Sequence, residues 1–267
     1  MLAQETEIAI KTAISAGELL HERFRTTQTS CVKEDGSLVS DADLVSHEFI
    51  LKEISTAFPS HTILSEESPG ALQAHIESGP TWVIDPLDGT SNFLAGLPLF
   101  TVTLALVDQG QTKLGVTYDP IHHDLYVAVV GQGATLNGKR MCVSQKDTPR
   151  GAMLFAGRAY KERDRVRHAN IISTLERQTT YFRRLGCATI MLASVACGRA
   201  DAVILTGKSP WDTVAGALLV QEAGGKISDY SGNDWSLESE DLVATNGVLH
   251  KKLTDITSVL ENSSWLV

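Results

Sequence analysis

At 267 residues, with 43% hydrophobic and 21% charged content, the chain has the composition of an ordinary folded protein and not of a disordered or fibrous one. Its 23 basic against 32 acidic residues leave a net charge of −9, which argues against nonspecific binding to nucleic acid or anionic membranes. Four cysteines with no close Cys-x-x-Cys pair argue against a zinc site and fit the reduced thiols of a cytoplasmic protein. No apolar run approaches the ~20 residues of a membrane span, and no basic region followed by an apolar core marks a signal peptide at the N-terminus.

In chain order, Ile8, Ile10, Ala13, Ile14, Gly17 and Leu20 fall at roughly helical spacing and predict an amphipathic helix over residues 3–25. The Asp35-Gly36 pair predicts a hairpin over residues 32–39. Lys33 within it reads equally as a surface lysine or as a cation beside a metal-bound phosphate. Ser40 is placed to cap a second helix over residues 41–57. A short strand at 61–65 runs into Glu66-Glu67, a pair that taken alone is solvated charge. Residues 70–79 read as a helix or loop.

Trp82, Val83 and Ile84 predict a buried strand that stops at Asp85, because Pro86 has no amide hydrogen for the ladder. Asp88 follows, and Gly89-Thr90-Ser91 reads as a turn opening a helix. A lone Asp-x-x-Asp-Gly is most often a capped turn. Here two carboxylates, a glycine and two hydroxyls crowd one corner, which suits a hard divalent cation. A helix start beside it suits phosphate. Strands are predicted at 97–107, 113–118 and 124–130, then a meander through Gly138. Its Gly131-Gln-Gly133 lacks the third glycine and the helix of a dinucleotide fingerprint.

The second half alternates strand and helix: a strand at 152–156, a basic helix at 161–177, a strand at 181–185 and a small-residue helix ending at Cys197. Lys161, Arg163, Arg165 and Arg167 in the basic helix read as an exposed face. A strand at 201–205 precedes Pro210-Trp211-Asp212 at a helix start, and Gly224-Gly225 ends that helix. Strands at 226–228 and 242–245 and a helix at 248–260 complete the chain.

Three stretches, Asp85-Pro-Leu-Asp-Gly-Thr90, Ser65-Glu66-Glu67-Ser68 and Trp211-Asp212-Thr-Val-Ala-Gly216, together resemble the inositol monophosphatase family of lithium-sensitive, Mg2+-dependent phosphomonoesterases. The resemblance spans nearly the whole chain in the family's order. Gly89-Thr-Ser-Asn-Phe93 is closer to the inositol monophosphatase branch than to the bisphosphate nucleotidase branch. It implies an α/β (α+β) fold, a five-layer αβαβα sandwich. The chain is then one domain over 1–267, with a metal-binding α+β half at 1–148 and an α/β half at 149–267.

The resemblance further implies two or three Mg2+ ions held by Glu66, Asp85, the carbonyl of Leu87, Asp88 and Asp212. Glu66, Thr90 and Asp43 would be catalytic, with Thr90 paired to Asp43 and orienting a metal-activated water. Asp43 fills the aspartate of the family's Thr-x-x-Asp, with Ser40 in place of the threonine. Asp88, the amides of Gly89 and Thr90, Gly186, Cys187, Leu205 and Asp212 would line the substrate site. Leu205 falls where the animal pattern has an inositol-binding glutamate, with Lys208 behind it. It reads equally as the end of an apolar strand. The implied activity is hydrolysis of a small phosphate monoester, inositol 1-phosphate or a related sugar or polyol phosphate. Fructose 1,6-bisphosphate, histidinol phosphate and 3′(2′),5′-bisphosphate nucleotides are alternatives, as is a metal-binding regulatory protein retaining the fold. A cytoplasmic homodimer that binds neither nucleic-acid polymers nor membranes is expected.

Overall fold

The computed structural model describes residues 2–33, 36–68, 79–159, 162–207, 209–239 and 241–261. Asp35 of the hairpin turn, the segment 70–78, Lys161 and Lys208 lie outside them, as does the side chain of Arg163. Helix α1 (Ala3–Arg23) buries Ala9, Ala13, Ala16, Gly17 and Leu20, whereas Ile8, Ile10 and Ile14 are only partly covered. Small residues take the inner face because the helix lies close on a sheet: a β-carbon on Gly17 would stand 2.5 Å from the Tyr118 ring. Strands β1 (Ser30–Val32) and β2 (Leu38–Ser40) form an antiparallel hairpin leading into α2 (Asp41–Ala57). Strand β3 (Thr62–Ser65) pairs in parallel with β4 (Thr81–Asp88), and the short α3 (Thr90–Leu94) follows. An antiparallel meander of β5 (Thr101–Asp108), β6 (Gln111–Asp119), β7 (Asp124–Val129), β8 (Gly133–Leu136) and β9 (Lys139–Arg140) completes a seven-stranded sheet.

The remainder contributes β10 (Met153–Ala156), α4 (Glu162–Glu176), β11 (Tyr181–Arg183), α5 (Ala188–Ala196) and β12 (Ala202–Leu205). Helix α6 (Pro210–Glu222), β13 (Lys226–Ser228), β14 (Leu242–Thr245) and α7 (His250–Glu261) follow. The second sheet has the order β11-β10-β12-β14-β13. Helices α1 and α2 cover the outer face of the large sheet, α5 and α6 fill the space between the sheets, and α4 packs beside α7, which covers the outer face of the small sheet. The layers are therefore αβαβα. Helix α6 is buried from Thr213 to Val220, which is why its sequence is apolar all round and shows no stripe. No helix among the described residues is long and apolar enough to cross a membrane.

Strand β4 does not stop at Asp85. It is buried along its whole length to Asp88, and its pairing with β5 shifts from Asp85↔Thr103 to Asp88↔Thr101. Three steps on β4 oppose two on β5, which is a one-residue bulge at Pro86-Leu87. A bulge tolerates the missing proline donor, so the strand bends and continues. Side chains alternate along an undistorted strand, and a separation of three would put Asp85 and Asp88 on opposite faces. The extra residue cancels that. Both now share the face of Val83 and Ala105, which packs on Val214 and Ala215 of α6.

The seam between the large sheet and α6 is set by backbone contact. A β-carbon at Gly115 on β6 would lie 2.9 Å from the carbonyl oxygen of Ala215 and 3.1 Å from its Cα. Gly115→Val should therefore push α6 off the sheet and lower stability by about 1–3 kcal/mol, the range of overpacked cores. Urea unfolding checks it; a midpoint equal to wild type would show that the seam yields freely.

Candidate metal centre

The bulge aims Asp85 and Asp88 at the start of α6, where Asp212, at the third helical position, closes a capping box. Ser209 is its N-cap, Pro210 follows, and the Ser209 amide donates to Asp212 Oδ2 at 3.1 Å. Ligand oxygens of Asp85, Asp88 and Asp212 all lie within 4.8 Å of one another. Asp85 is 1% exposed, and its Oδ1 accepts the Leu87 amide at 3.0 Å. Asp88 is fixed through one oxygen: Oδ2 accepts the Thr189 amide at 2.7 Å, the Thr189 hydroxyl at 2.6 Å and the Cys187 thiol at 3.0 Å.

Parallel pairing of β3 with β4, in the register Ser65↔Ile84, carries Glu66 alongside Asp85. The Glu66 amide donates to the Ile84 carbonyl at 3.1 Å. Lys33 reaches over from the hairpin, with Nζ 2.8 Å from Glu66 Oε1 and 2.6 Å from Glu67 Oε1. Lys33 is thus an ion-pair lysine of the site, and Glu67, with a side chain 6% exposed, is no surface group. On the far side, Asp43 caps its own helix: Oδ2 accepts the Ser40 amide at 2.8 Å and the Ser40 hydroxyl at 2.5 Å. Its Oδ1 accepts the Thr90 hydroxyl at 2.8 Å, and Thr90 Oγ1 also lies 3.1 Å from the Leu87 carbonyl.

This concentration of charge raises proton affinity. Burial, then repulsion from Glu66, Asp88 and Asp212, pushes Asp85 well above the usual carboxylate range. Burial outweighs the Lys33 ion pair and lifts Glu66 to about 7, and burial lifts Asp43 to about 6 against its hydrogen bonds. Burial opposes the charge of Lys33, but its two glutamates prevail and raise it. Carboxylate oxygens that repel one another in a buried corner fit a hard divalent cation such as Mg2+, whose charge would relieve that repulsion.

Other expected site residues fall differently. Gly186 borders a cavity of about 440 Å3 beside the carboxylates, together with Ser91 and Asn92. Cys187 does not line it: the residue is 0% exposed and its thiol serves Asp88. Leu205 is also 0% exposed, paired with Leu242 and packed in the core between the sheets as the end of an apolar strand. Arg165 is not merely a solvated face, since it lines the cavity, and Arg167 pairs with Asp241 at 2.7 Å. Thr189, which orients Asp88, was missed because nothing local marks a threonine at a helix start as the partner of a residue 101 positions away. A larger hollow of about 780 Å3 lies beside α1, lined by Leu2, Ile10, Ile14 and Val129 together with polar groups such as Glu7, Lys11 and Gln132.

The family model of the inositol monophosphatase family matches residues 1–262. A protein of Pasteurella multocida named Nus factor SuhB is 41% identical over 241 residues, covering 89% of both chains. The crystal structure of extragenic suppressor protein SuhB from Bartonella henselae superposes with a TM-score of 0.88 at 31% identity, covering 94% of this chain and 97% of that one. Inositol monophosphatase from Anabaena gives 0.85 at 35% identity, over 96% and 95%.

A carboxyl whose folded pKa lies above its unfolded value holds its proton more tightly in the native state. Its contribution to stability is full below the unfolded value and is lost as pH rises through the folded one. For Asp43 and Glu66 that window runs from about pH 4 to about pH 7. Metal-free protein should therefore lose a stabilising contribution from these groups between pH 5 and pH 8, and Mg2+ should restore it. Melting temperatures with chelator and with Mg2+ at both pH values check this; a Mg2+ shift no larger at pH 8 than at pH 5 would contradict it.

Proposed function

The chain belongs to the inositol monophosphatase family, and from that membership we propose that it is a Mg2+-dependent phosphomonoesterase acting on a small phosphate monoester. Inositol 1-phosphate or a related sugar or polyol phosphate is the leading substrate class, with sugar bisphosphates, histidinol phosphate and bisphosphate nucleotides as alternatives for the same chemistry. The observation that carries this reading is the gathering of Asp85, Asp88 and Asp212 within 4.8 Å beside the Thr90–Asp43 pair. Glu66, Asp85, Asp88, Asp212 and the Leu87 carbonyl would hold two or three ions. When bound, Mg2+ supplies the Lewis acidity that neutralises phosphoryl charge and lowers the pKa of a coordinated water.

The chain's own groups do the rest. Thr90 gives its one hydroxyl proton to Asp43, so its oxygen is left to accept from a water and aim it at phosphorus. Gly89 stands in the left-handed region at φ 98°, and a β-carbon there would meet the Leu99 carbonyl at 2.7 Å. Only glycine lets the backbone turn there, presenting the Gly89 and Thr90 amides to phosphoryl oxygens. We infer a cytoplasmic, lithium-sensitive homodimer from family membership alone.

A second reading rests on a different observation, the 41% identical relative named Nus factor. An accessory role in transcription would use an outer surface and not the carboxylates. It also withdraws the exclusion of nucleic-acid partners drawn from net charge.

Asp85→Asn should abolish measurable Mg2+-dependent phosphate release. It should leave the circular dichroism spectrum unchanged. A folded variant with near-wild-type turnover would remove the cluster from the chemistry. If the chain acts in transcription, the same variant should keep its binding to transcription complexes.

Thr90→Ala and Asp43→Asn should each lower kcat by ~10²–10⁴-fold. Because the two act as one hydrogen-bonded unit, the double variant should lose little more than either single one. Steady-state kinetics of all three decides; losses that multiply would break the coupled pair.

A further inference from the structure

Helix α2 turns one face toward the large sheet, and its buried row runs Asp43, Ser46, Ile50 and Ile54. Isoleucines suit such a row. Ser46, fully buried, does not, because a buried hydroxyl costs free energy unless it finds a partner. Its partner is on the metal-bearing strand: the hydroxyl donates to the Pro86 carbonyl at 2.8 Å.

That carbonyl needs a donor. Carbonyls of alternate strand residues face the same edge, and on β4 the Ile84 carbonyl is taken by the Glu66 amide at the end of β3. Two residues further on, the pairing of β3 with β4 has already ended at Ser65↔Ile84. Ser46 supplies from the helix the bond that a longer β3 would give.

The bond reaches the metal centre through one rigid unit. The Pro86 carbonyl and the Leu87 amide are the two ends of a single planar peptide, and in a trans peptide they point in opposite directions. Ser46 holds one end. The other end donates to Asp85 Oδ1 at 3.0 Å. Rotation of that peptide about ψ of Pro86 and φ of Leu87 would break both bonds at once. The Leu87 carbonyl, 3.1 Å from Thr90 Oγ1, starts the next peptide and takes its direction from this one.

Neighbours on α2 act in the same region. His47 Nδ1 lies 2.8 Å from Ser65 Oγ, next to Glu66, and Asp43, one turn earlier, holds Thr90. Residues three and four apart share a helix face, so one face of α2 contacts the three segments that carry Glu66, Asp85 and Thr90.

We propose that Ser46 is a positioning residue of the metal centre, which fixes the direction of the Asp85 carboxylate through the Pro86-Leu87 peptide. This rests on reading the carboxylate cluster as a divalent cation site, and it adds a residue that touches neither cation nor substrate.

Partners that orient metal ligands are typically worth ~10–100-fold in metal affinity. Ser46 acts one peptide away, so Ser46→Ala should weaken Mg2+ binding about tenfold, the lower end of that range, in calorimetry well below the melting temperature. Ser46→Thr keeps the hydroxyl and should recover most of the loss, and Ser46→Cys, a weaker donor of similar shape, should fall between. Ile50→Val, a core truncation one turn further along the same row, controls for general loosening of α2 and should bind Mg2+ as wild type does. A second readout needs no metal. In the chelator-treated chain, Ser46→Ala should speed hydrogen exchange of the Leu87 amide about fivefold or more relative to that of Val83 on the same strand, the factor of one hydrogen bond.

Unchanged Mg2+ affinity in Ser46→Ala, or Leu87 exchange that rises only in step with Val83, would overturn the proposal and leave the phosphatase reading intact. So would an equal loss of affinity in Ile50→Val, or a loss in Ser46→Thr as large as in Ser46→Ala. Should Ser46→Ala not fold, Ser46→Cys is judged by the same two readouts. If wild type binds Mg2+ and Ser46→Ala weakens that binding, but no monoester releases phosphate, the positioning role stands and the phosphatase reading falls. No Mg2+ binding by wild type overturns both.

Discussion

One extra residue at Pro86-Leu87 decides where the site can be. Without the bulge, Asp85 and Asp88 would point to opposite faces of the large sheet, one toward α2 and one toward α6. With it, both meet Asp212 at the start of α6. The contact of Gly115 with the Ala215 backbone then fixes the depth at which α6 lies on the sheet. Two backbone irregularities, a bulge and a bare glycine, thus bring carboxylates from distant parts of the chain into one coordination sphere.

The arrangement is poor for stability. Buried carboxylates that repel one another cost free energy, and the raised proton affinities of Asp85 and Glu66 measure that cost. Lys33 brings a cation to the edge of this cluster, where it contacts Glu66 and Glu67. The rest of the structure supports the strain: Thr189 and Cys187 hold Asp88, Leu87 holds Asp85, and the capping box holds Asp212. Such support suits a cation supplied from solution, because a preorganised set of oxygen ligands loses little freedom on binding.

Much of this was legible in the sequence. Glu66 at the end of a strand and Asp212 at a capped helix start sit where they were expected, whereas Asp85-x-x-Asp88 lies within β4 and not after it. Asp43 was legible only through the family resemblance, and the structure adds that it closes a capping box with Ser40. What could not be read needs three dimensions. Pro86 suggests a strand end, and only pairing with β5 shows a bulge. Leu205 ends an apolar strand in either reading, and only the structure shows it packed in the inter-sheet core. Arg165 looks like one more charge on a solvated helix until β10 and β11 bring Arg158 and Arg184 to the same edge. Ile8, Ile10 and Ile14 looked like the inner face of α1, but the sheet lies too close for them and the alanines take their place.

The central claim is that the β4–α6 corner is a divalent cation site whose carboxyls hold protons until the cation arrives. Isothermal titration of the metal-stripped chain with Mg2+, in buffers of different ionisation enthalpy, tests it most directly. The account predicts saturable binding that releases protons at pH 6.5, with release from Glu66 falling away by pH 9, where that group is already ionised. Absence of binding, or binding at pH 6.5 with no proton release, would contradict it.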